Sequence, residues 1–409
     1  MKGWLMLGLL VCCCWGFAAC RSRAAVEVPG SIGSRVFVVE RNAETLAVYD
    51  LDLRRVVHHV SGLGNLQHAT MTFSRDLRYG FVSGRSGKLT RIDLATLEHA
   101  GEVQTSKNSI DIAISQDGRY VATAEYLPGG VTILDAKTFE VVRRIQATLH
   151  ETGGLSRGYQ LGDPNIRVTG IVDAPGNRFV CTLIESGEIW VIDASRPDFP
   201  VERRVPVGPG EPYDAMITPD GRSYVVGLRD ADEVAILDLR DPERGTQRVS
   251  LREPGRTYDR TAPIKLPHLA SWAVARNRVF VPLVGEKRLA VLDRDTWRFV
   301  RSIPLRGNPV YAVRAPGERE VWVSFSGQED DAFVQIVDVD TLEIKRTLRI
   351  GGRIYHMDFT PRGSHVLVTA NRDDKLVLVN AMTGAIEDEE PIRSPSGVFG
   401  VWRAFIMGL

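Results

Sequence analysis

The sequence predicts an all-β fold, an eight-bladed β-propeller in which a C-terminal strand closes the first blade. Three observations lead there. One pattern recurs eight times, its residues alternate with period two rather than at helical spacing, and the two ends of the chain supply complementary parts of one blade.

The repeats begin at Arg35, Tyr79, Tyr120, Phe179, Tyr224, Val279, Val321 and His365. Each holds a β-branched or aromatic strand, a short polar turn, and a second strand ending in Asp or Asn, as in YGFVSGRSGKLTRID and YVVGLRDADEVAILD. A third strand follows, such as VVRRI from Val141, and another apolar strand precedes across a turn such as SQDGR or TPDGR. The Asp-Gly pair tolerates the positive φ such a turn demands. Four strands per unit, recurring at intervals of about 41 to 59 residues, is the signature of propeller blades. The strand from Val36 to Glu40 lacks an inner neighbour, and Gly397 to Phe405 reads as an orphan apolar strand. Pairing the two completes blade one and removes the open edges.

The expected organisation is therefore 1–19 signal peptide, 20–34 flexible tether and 35–409 propeller. Lys2 precedes an apolar run from Trp4 to Phe17, then Ala18-Ala19-Cys20 and polar Arg21-Ser22-Arg23, a secretory layout rather than a spanning helix. The ending resembles a bacterial lipobox, which implies cleavage before Cys20 and lipid attachment to its sulfur. Arg21 after the cysteine, by resemblance to bacterial lipoproteins, favours the outer membrane. The expected location is the periplasm, with the chain anchored to the membrane by lipid.

Composition narrows the function. With 51 basic and 51 acidic side chains the formal net charge is zero, so no basic face for nucleic acid is expected. Of five cysteines, Cys12, Cys13, Cys14 and Cys20 lie in the leader or at its end, and Cys181 reads as a small core side chain. There is no CxxCH for a c-type haem and no zinc spacing. Gly62-Leu63-Gly64 begins like a dinucleotide fingerprint but lacks the third glycine and precedes a strand, so no nicotinamide site is expected.

In a propeller the inner strands run along the central channel, and their first residues ring its mouth. Those positions hold His68, Ile110-Asp111, Arg167, Tyr213-Asp214, His268, Tyr311 and Tyr355-His356. Such convergence of His, Tyr, Arg and Asp suits a planar ligand bearing a metal and several carboxylates; aromatic plugs with buried hydrogen bonds are the plainer alternative. His58, His59, His99 and His365 are expected at the surface.

The stretch from Gly64 to Ala95, with His68 ahead of a strand and VSGRSGK after it, resembles the haem d1 domain of cytochrome cd1 nitrite reductase. That domain is itself an eight-bladed propeller, and the likeness runs weakly across residues 35–380. Lacking a c-type haem domain, the chain looks like a stand-alone relative serving haem d1 biosynthesis. The resemblance implies His68 as proximal ligand to the haem iron and Arg41, Arg85 and Arg167 as partners of the tetrapyrrole carboxylates. Neutral imidazole and planar guanidinium suit those tasks. His268 matches one of two proton-feeding histidines; the other falls on Ala315, which argues against nitrite reduction.

The expected function is binding of haem d1 or a late, sirohaem-derived precursor, with action on its side chains during nitrite reductase maturation. His268 or Tyr213 would then act as acid or base. Two alternatives stay open: a non-catalytic carrier delivering haem d1 to the reductase, and a generic protein-interaction propeller. Contact with the reductase or other maturation proteins is expected from the resemblance alone.

Overall fold

The Asp or Asn that ends the second strand of each repeat, the third from the channel in its blade, has a structural task. In the computed structural model, which describes residues 28–149, 165–229, 231–255 and 272–408, Asp93 Oδ1 accepts from the amides of Ala95 and Thr96 at 2.9 and 3.1 Å. Asp135, Asp293, Asp338 and Asn380 repeat the arrangement. Four residues beyond these acids, Leu97, Phe139, Trp297 and Leu342 take left-handed φ, which turns the chain into the outermost strand. An acceptor at the strand end offsets the backbone groups the turn leaves unpaired.

Eight four-stranded antiparallel sheets result. From the channel outward, blade 2 is Thr70–Phe73, Tyr79–Ser83, Lys88–Asp93 and His99–Gln104; the later blades repeat this order. Blade 1 takes its inner strand from the other end of the chain, where Pro395–Gly400 pairs with Arg35–Glu40. The closing strand thus begins two residues earlier than the sequence suggests and ends sooner. Val401–Phe405 is a 3-10 turn rather than strand. Among the described residues the helical elements are short 3-10 turns.

Apolar clusters fill the wedges between adjacent sheets. Phe37, Val48, Met71 and Phe73 join blades 1 and 2; Trp190, Phe179 and Ala124 join blades 3 and 4. Cys181 is fully buried in the latter cluster. With the blade faces committed to one another, polar side chains on the inner strands have only the channel to occupy.

The inner strands are also irregular at their first residues. Register shifts fall between Ser109 and Asp111, Thr169 and Val172, Pro212 and Asp214, Pro309 and Ala312, and Ile354 and Met357. A bulge inserts an unpaired residue and re-aims its side chain. With the bulge of Ser396–Gly397 in the closing strand, six inner strands carry this device at the same level, and it sets up the channel mouth.

Candidate functional site

The mouth opens into a cavity of about 580 Å³ along the propeller axis, lined by His68, Asp111, Tyr311, Tyr355, His356 and Arg41 among others. That volume is within the range of about 300–1,000 Å³ usual for small-molecule and cofactor sites.

His68 stands on a short turn ahead of Thr70–Phe73 and adopts φ +52°, with its side chain exposed to the cavity mouth. The turn is pinned from the next loop of the same blade. The amides of Arg85 and Ser86 donate to the carbonyls of Gln67 and Asn65 at 3.2 and 3.3 Å. Close approach explains both glycines of Gly84-Arg85-Ser86-Gly87. A Cβ on Gly84 would lie 2.7 Å from the Asn65 carbonyl, and one on Gly87 2.2 Å from the Ser106 carbonyl. The motif thus fixes the backbone that presents His68.

The arginines divide into two groups. Arg41, which lines the cavity, donates to the Tyr355 hydroxyl and lies over that ring at 5.2 Å. Arg353 approaches the same ring at 5.4 Å. Across the mouth, Arg85 and Arg167 share the ring of Tyr126, at 4.9 and 5.5 Å. Arg85 also donates to Asn108 Oδ1 at 3.1 Å. Arg167 is ion-paired through Nε with buried Glu185, its amide donates to the same carboxylate at 2.7 Å, and Glu211 stands 3.7 Å from Nη2. Tyr213 packs beside Ile110, Tyr126 and Ile184. Burial, then the charge of Asp214, raises its hydroxyl above the ordinary tyrosine range.

Three titratable groups in the cavity wall are displaced strongly, and for Tyr311 burial raises the hydroxyl well above the ordinary tyrosine range. Burial pushes the Asp111 carboxyl up to about 7, although Gly170 N–H and Thr169 Oγ1 donate to its Oδ2 at 2.6 and 3.2 Å. Burial, followed by the nearby charge of Arg403, lowers His356 to about 3. His356 is therefore neutral at physiological pH. Its Nδ1 accepts from Val398 N–H at 3.3 Å, which leaves the proton on Nε2. Tyr311 meets the imidazole edge-on at 5.3 Å.

The structure thus gathers His68, Arg41, Asp111, Tyr311, Tyr355 and His356 on one cavity, and sets Arg85, Arg167 and Tyr213 beside it around Tyr126. His268 and Cys20 lie outside the described residues, as does the signal segment. Ala315 follows the end of Asn308–Arg314, at the opposite end of the channel from the mouth, and packs against the core between blades 7 and 8. It does not face the cavity; Tyr311 represents that blade there. Sequence reasoning missed Tyr126, Arg353 and Arg403. Tyr126 belongs to a strand otherwise read as core, and only its neighbours across the mouth reveal its task. His59 bonds to Glu40 at 2.8 Å and His365 to Glu387 at 2.9 Å, both away from the cavity.

The family described as the cytochrome D1 heme domain matches residues 33–404. Protein NirF of Pseudomonas aeruginosa is 40% identical over 392 residues, 96% of each chain. Protein NirF of Stutzerimonas stutzeri is 38% identical over 372 residues, 91% of this chain and 92% of that one. The solved structure of dihydro-heme d1 dehydrogenase NirN in complex with DHE superposes with a TM-score of 0.75 at 24% identity. It covers 92% of this chain and 77% of its own.

Proposed function

The chain belongs to the cytochrome D1 heme domain family, and on that premise we propose that its cavity holds haem d1 or a late precursor and that the protein acts on the precursor's side chains. The family and its relatives support a place in haem d1 biosynthesis or binding. One observation carries the finer reading: His68 is held at the mouth of a 580 Å³ cavity by a backbone cradle that only glycines permit, with arginines on both sides.

In this reading His68 donates its imidazole lone pair to the iron, and Arg41, Arg85 and Arg167 meet the peripheral carboxylates. The cavity suits such a ligand on two counts. Aromatic rings of Tyr311, Tyr355 and Phe399 offer flat apolar surface, and Asp111 Oδ1 lies buried without a hydrogen-bond partner among the described residues. The proton on His356 Nε2 and the hydroxyl of Tyr311 are donors in the cavity wall, and the sequence adds Tyr213 and His268 as acid–base candidates. The substrate would arrive as a sirohaem-derived macrocycle, and the acid–base step would fall on its exposed face. Lipid attachment at Cys20 and a periplasmic location complete the proposal, so the reaction would take place at the membrane surface near nitrite reductase.

The carrier reading shares every binding residue and differs only in turnover. Titrating the protein with haem d1, followed by absorbance, tests what both share. A shifted spectrum that His68→Ala loses or alters is the expected result. An unshifted spectrum with haem d1 and with precursor removes both readings and leaves a protein-interaction propeller. Conversion of precursor in a single-turnover assay then separates enzyme from carrier.

A further inference from the structure

The channel has two ends, and they are built differently. Inner strands start at the mouth and finish at turns such as Ser74–Asp76, Ser115–Asp117 and Thr218–Asp220 at the far end. Residues 401–408 leave blade 1 at that far end and cross to blades 4 and 5. Arg75, from the turn of blade 2, donates to the Ala404 carbonyl and pairs with Asp173 of blade 4 at 3.1 Å. The other oxygen of Asp173 accepts from Gly408 N–H at 2.9 Å. Met407 packs against the cluster between blades 4 and 5, and a Cβ on Gly408 would come 2.2 Å from Ile217. Gly408 and Arg403 both line the main cavity.

Arg403 is the charged residue in this crossing segment. It is 8% exposed and lies over the Phe399 ring at 5.0 Å, and among the described residues its side chain makes one long hydrogen bond, Nη1 to the Val398 carbonyl at 3.4 Å. Its Nε has no partner among the described residues. A buried guanidinium with an unused donor is costly unless an anion completes it. The acid whose charge acts on it is Asp358, and Asp358 Oδ2 is itself buried without a partner among the described residues.

We propose that residues 401–408 floor the channel, making the cavity a cup with its mouth at His68, and that Arg403 in this floor binds a carboxylate of the ligand that enters there. The carboxylated macrocycle rests on the reading above; the floor cation does not. A planar fork can engage a carboxylate bidentately, and the low-polarity floor strengthens the contact.

The test uses the whole folded protein, Arg403→Lys and Arg403→Met, with ferric sirohaem as carboxylate-rich probe and formate as small one. Sirohaem binding should weaken roughly tenfold in Arg403→Met, the loss of one charge-assisted hydrogen bond, and by a smaller factor in Arg403→Lys. Equal sirohaem affinity in all three proteins overturns the inference and leaves the tetrapyrrole reading intact. If sirohaem does not bind the parent, the tetrapyrrole reading fails and formate decides. In [15N]arginine-labelled parent, the slowly exchanging Nε–H of Arg403, identified by its loss in either folded variant or by its protection, should shift and saturate with formate. An unmoved resonance overturns the floor site, and this parent measurement stands even if both variants unfold.

Discussion

The two sides of the channel mouth carry arginines in opposite electrostatic states. On the side of blades 1, 7 and 8, Arg41 leans on Tyr355, donates to its hydroxyl and faces the cavity. On the side of blades 2 to 4, Arg167 is ion-paired with Glu185, has Glu211 at 3.7 Å, and stands beside the cavity rather than in its wall. A guanidinium resting on a phenol keeps its full charge for an incoming carboxylate; one already neutralised must exchange partners. Two arginines that the resemblance treats alike are therefore unequal binders.

The inequality gives the largest predicted effect. Arg41→Ala should weaken haem d1 by roughly tenfold or more, the scale of a lost charge-assisted hydrogen bond. Arg167→Ala should cost only about two- to threefold, as expected for a residue whose charge is already offset. Absorbance titrations of both variants read this directly. Equal losses would mean that Glu185 releases Arg167 on binding, and the mouth would then be symmetric.

Glu185→Gln sharpens the same point from the other side. The amide keeps an acceptor for the Arg167 backbone N–H but removes the charge that neutralises the guanidinium. Haem d1 should bind about two- to threefold more tightly, while the apoprotein loses about 1 kcal/mol of stability. Tighter binding without a ligand carboxylate, tested with an esterified macrocycle, would argue that a change of shape rather than of charge is responsible.

Much of this was legible in the sequence, and the reasons are physical. The eight repeats are visible because each blade must bury both faces against its neighbours, which makes continuous apolar runs of strands such as Val36–Val39 and Val225–Val226, their successive side chains entering clusters on opposite faces. The strand-ending acids are visible because the turn needs their side-chain acceptors. His68 and the four residues from Gly84 to Gly87 stand out because close backbone packing leaves room for few side chains. The mouth was harder. Bulges at Ile110, Gly170–Ile171, Tyr213, Val310–Tyr311, Tyr355–His356 and Ser396–Gly397 shift the register where the cavity-lining residues sit, so parity cannot assign Tyr126 or Tyr311 a direction. The floor was missed for a related reason: Val401–Phe405 continues an apolar run with strand-like composition, yet leaves the sheet once its blade is complete.

Buried acids give a third prediction. Asp111 and Glu125 are pushed up to about 7 and Asp358 to about 6, each chiefly by burial. Their folded values lie above the unfolded ones, so the protonated forms stabilise the fold. That stability is fully present below about pH 4 and is lost as pH rises through 6 to 7. The melting temperature should therefore fall between pH 5 and pH 8, and Asp111→Asn should flatten part of the slope. Asp111 stands on the side of Arg85, whose charge already favours its anion. A ligand carboxylate set beside it would raise it further, so a steeper profile in the haem-loaded protein would locate the macrocycle against this wall.

The smallest effect concerns what carries the second arginine pair. Arg85 and Arg167 lie over one ring, and burial raises the Tyr126 hydroxyl well above the ordinary tyrosine range, so it stays protonated throughout the working pH. If the ring is the support, Tyr126→Phe should bind haem d1 as the parent does, because the face that attracts both guanidinium groups is kept. Tyr126→Leu should then cost about twofold, since such a contact contributes about 0.5 kcal/mol at an exposed site. Losing affinity equally in both variants would instead assign the role to the hydroxyl. The comparison across the mouth would change with it: Arg41 uses the Tyr355 hydroxyl as acceptor, and Tyr126 would then offer the same kind of contact rather than only a surface.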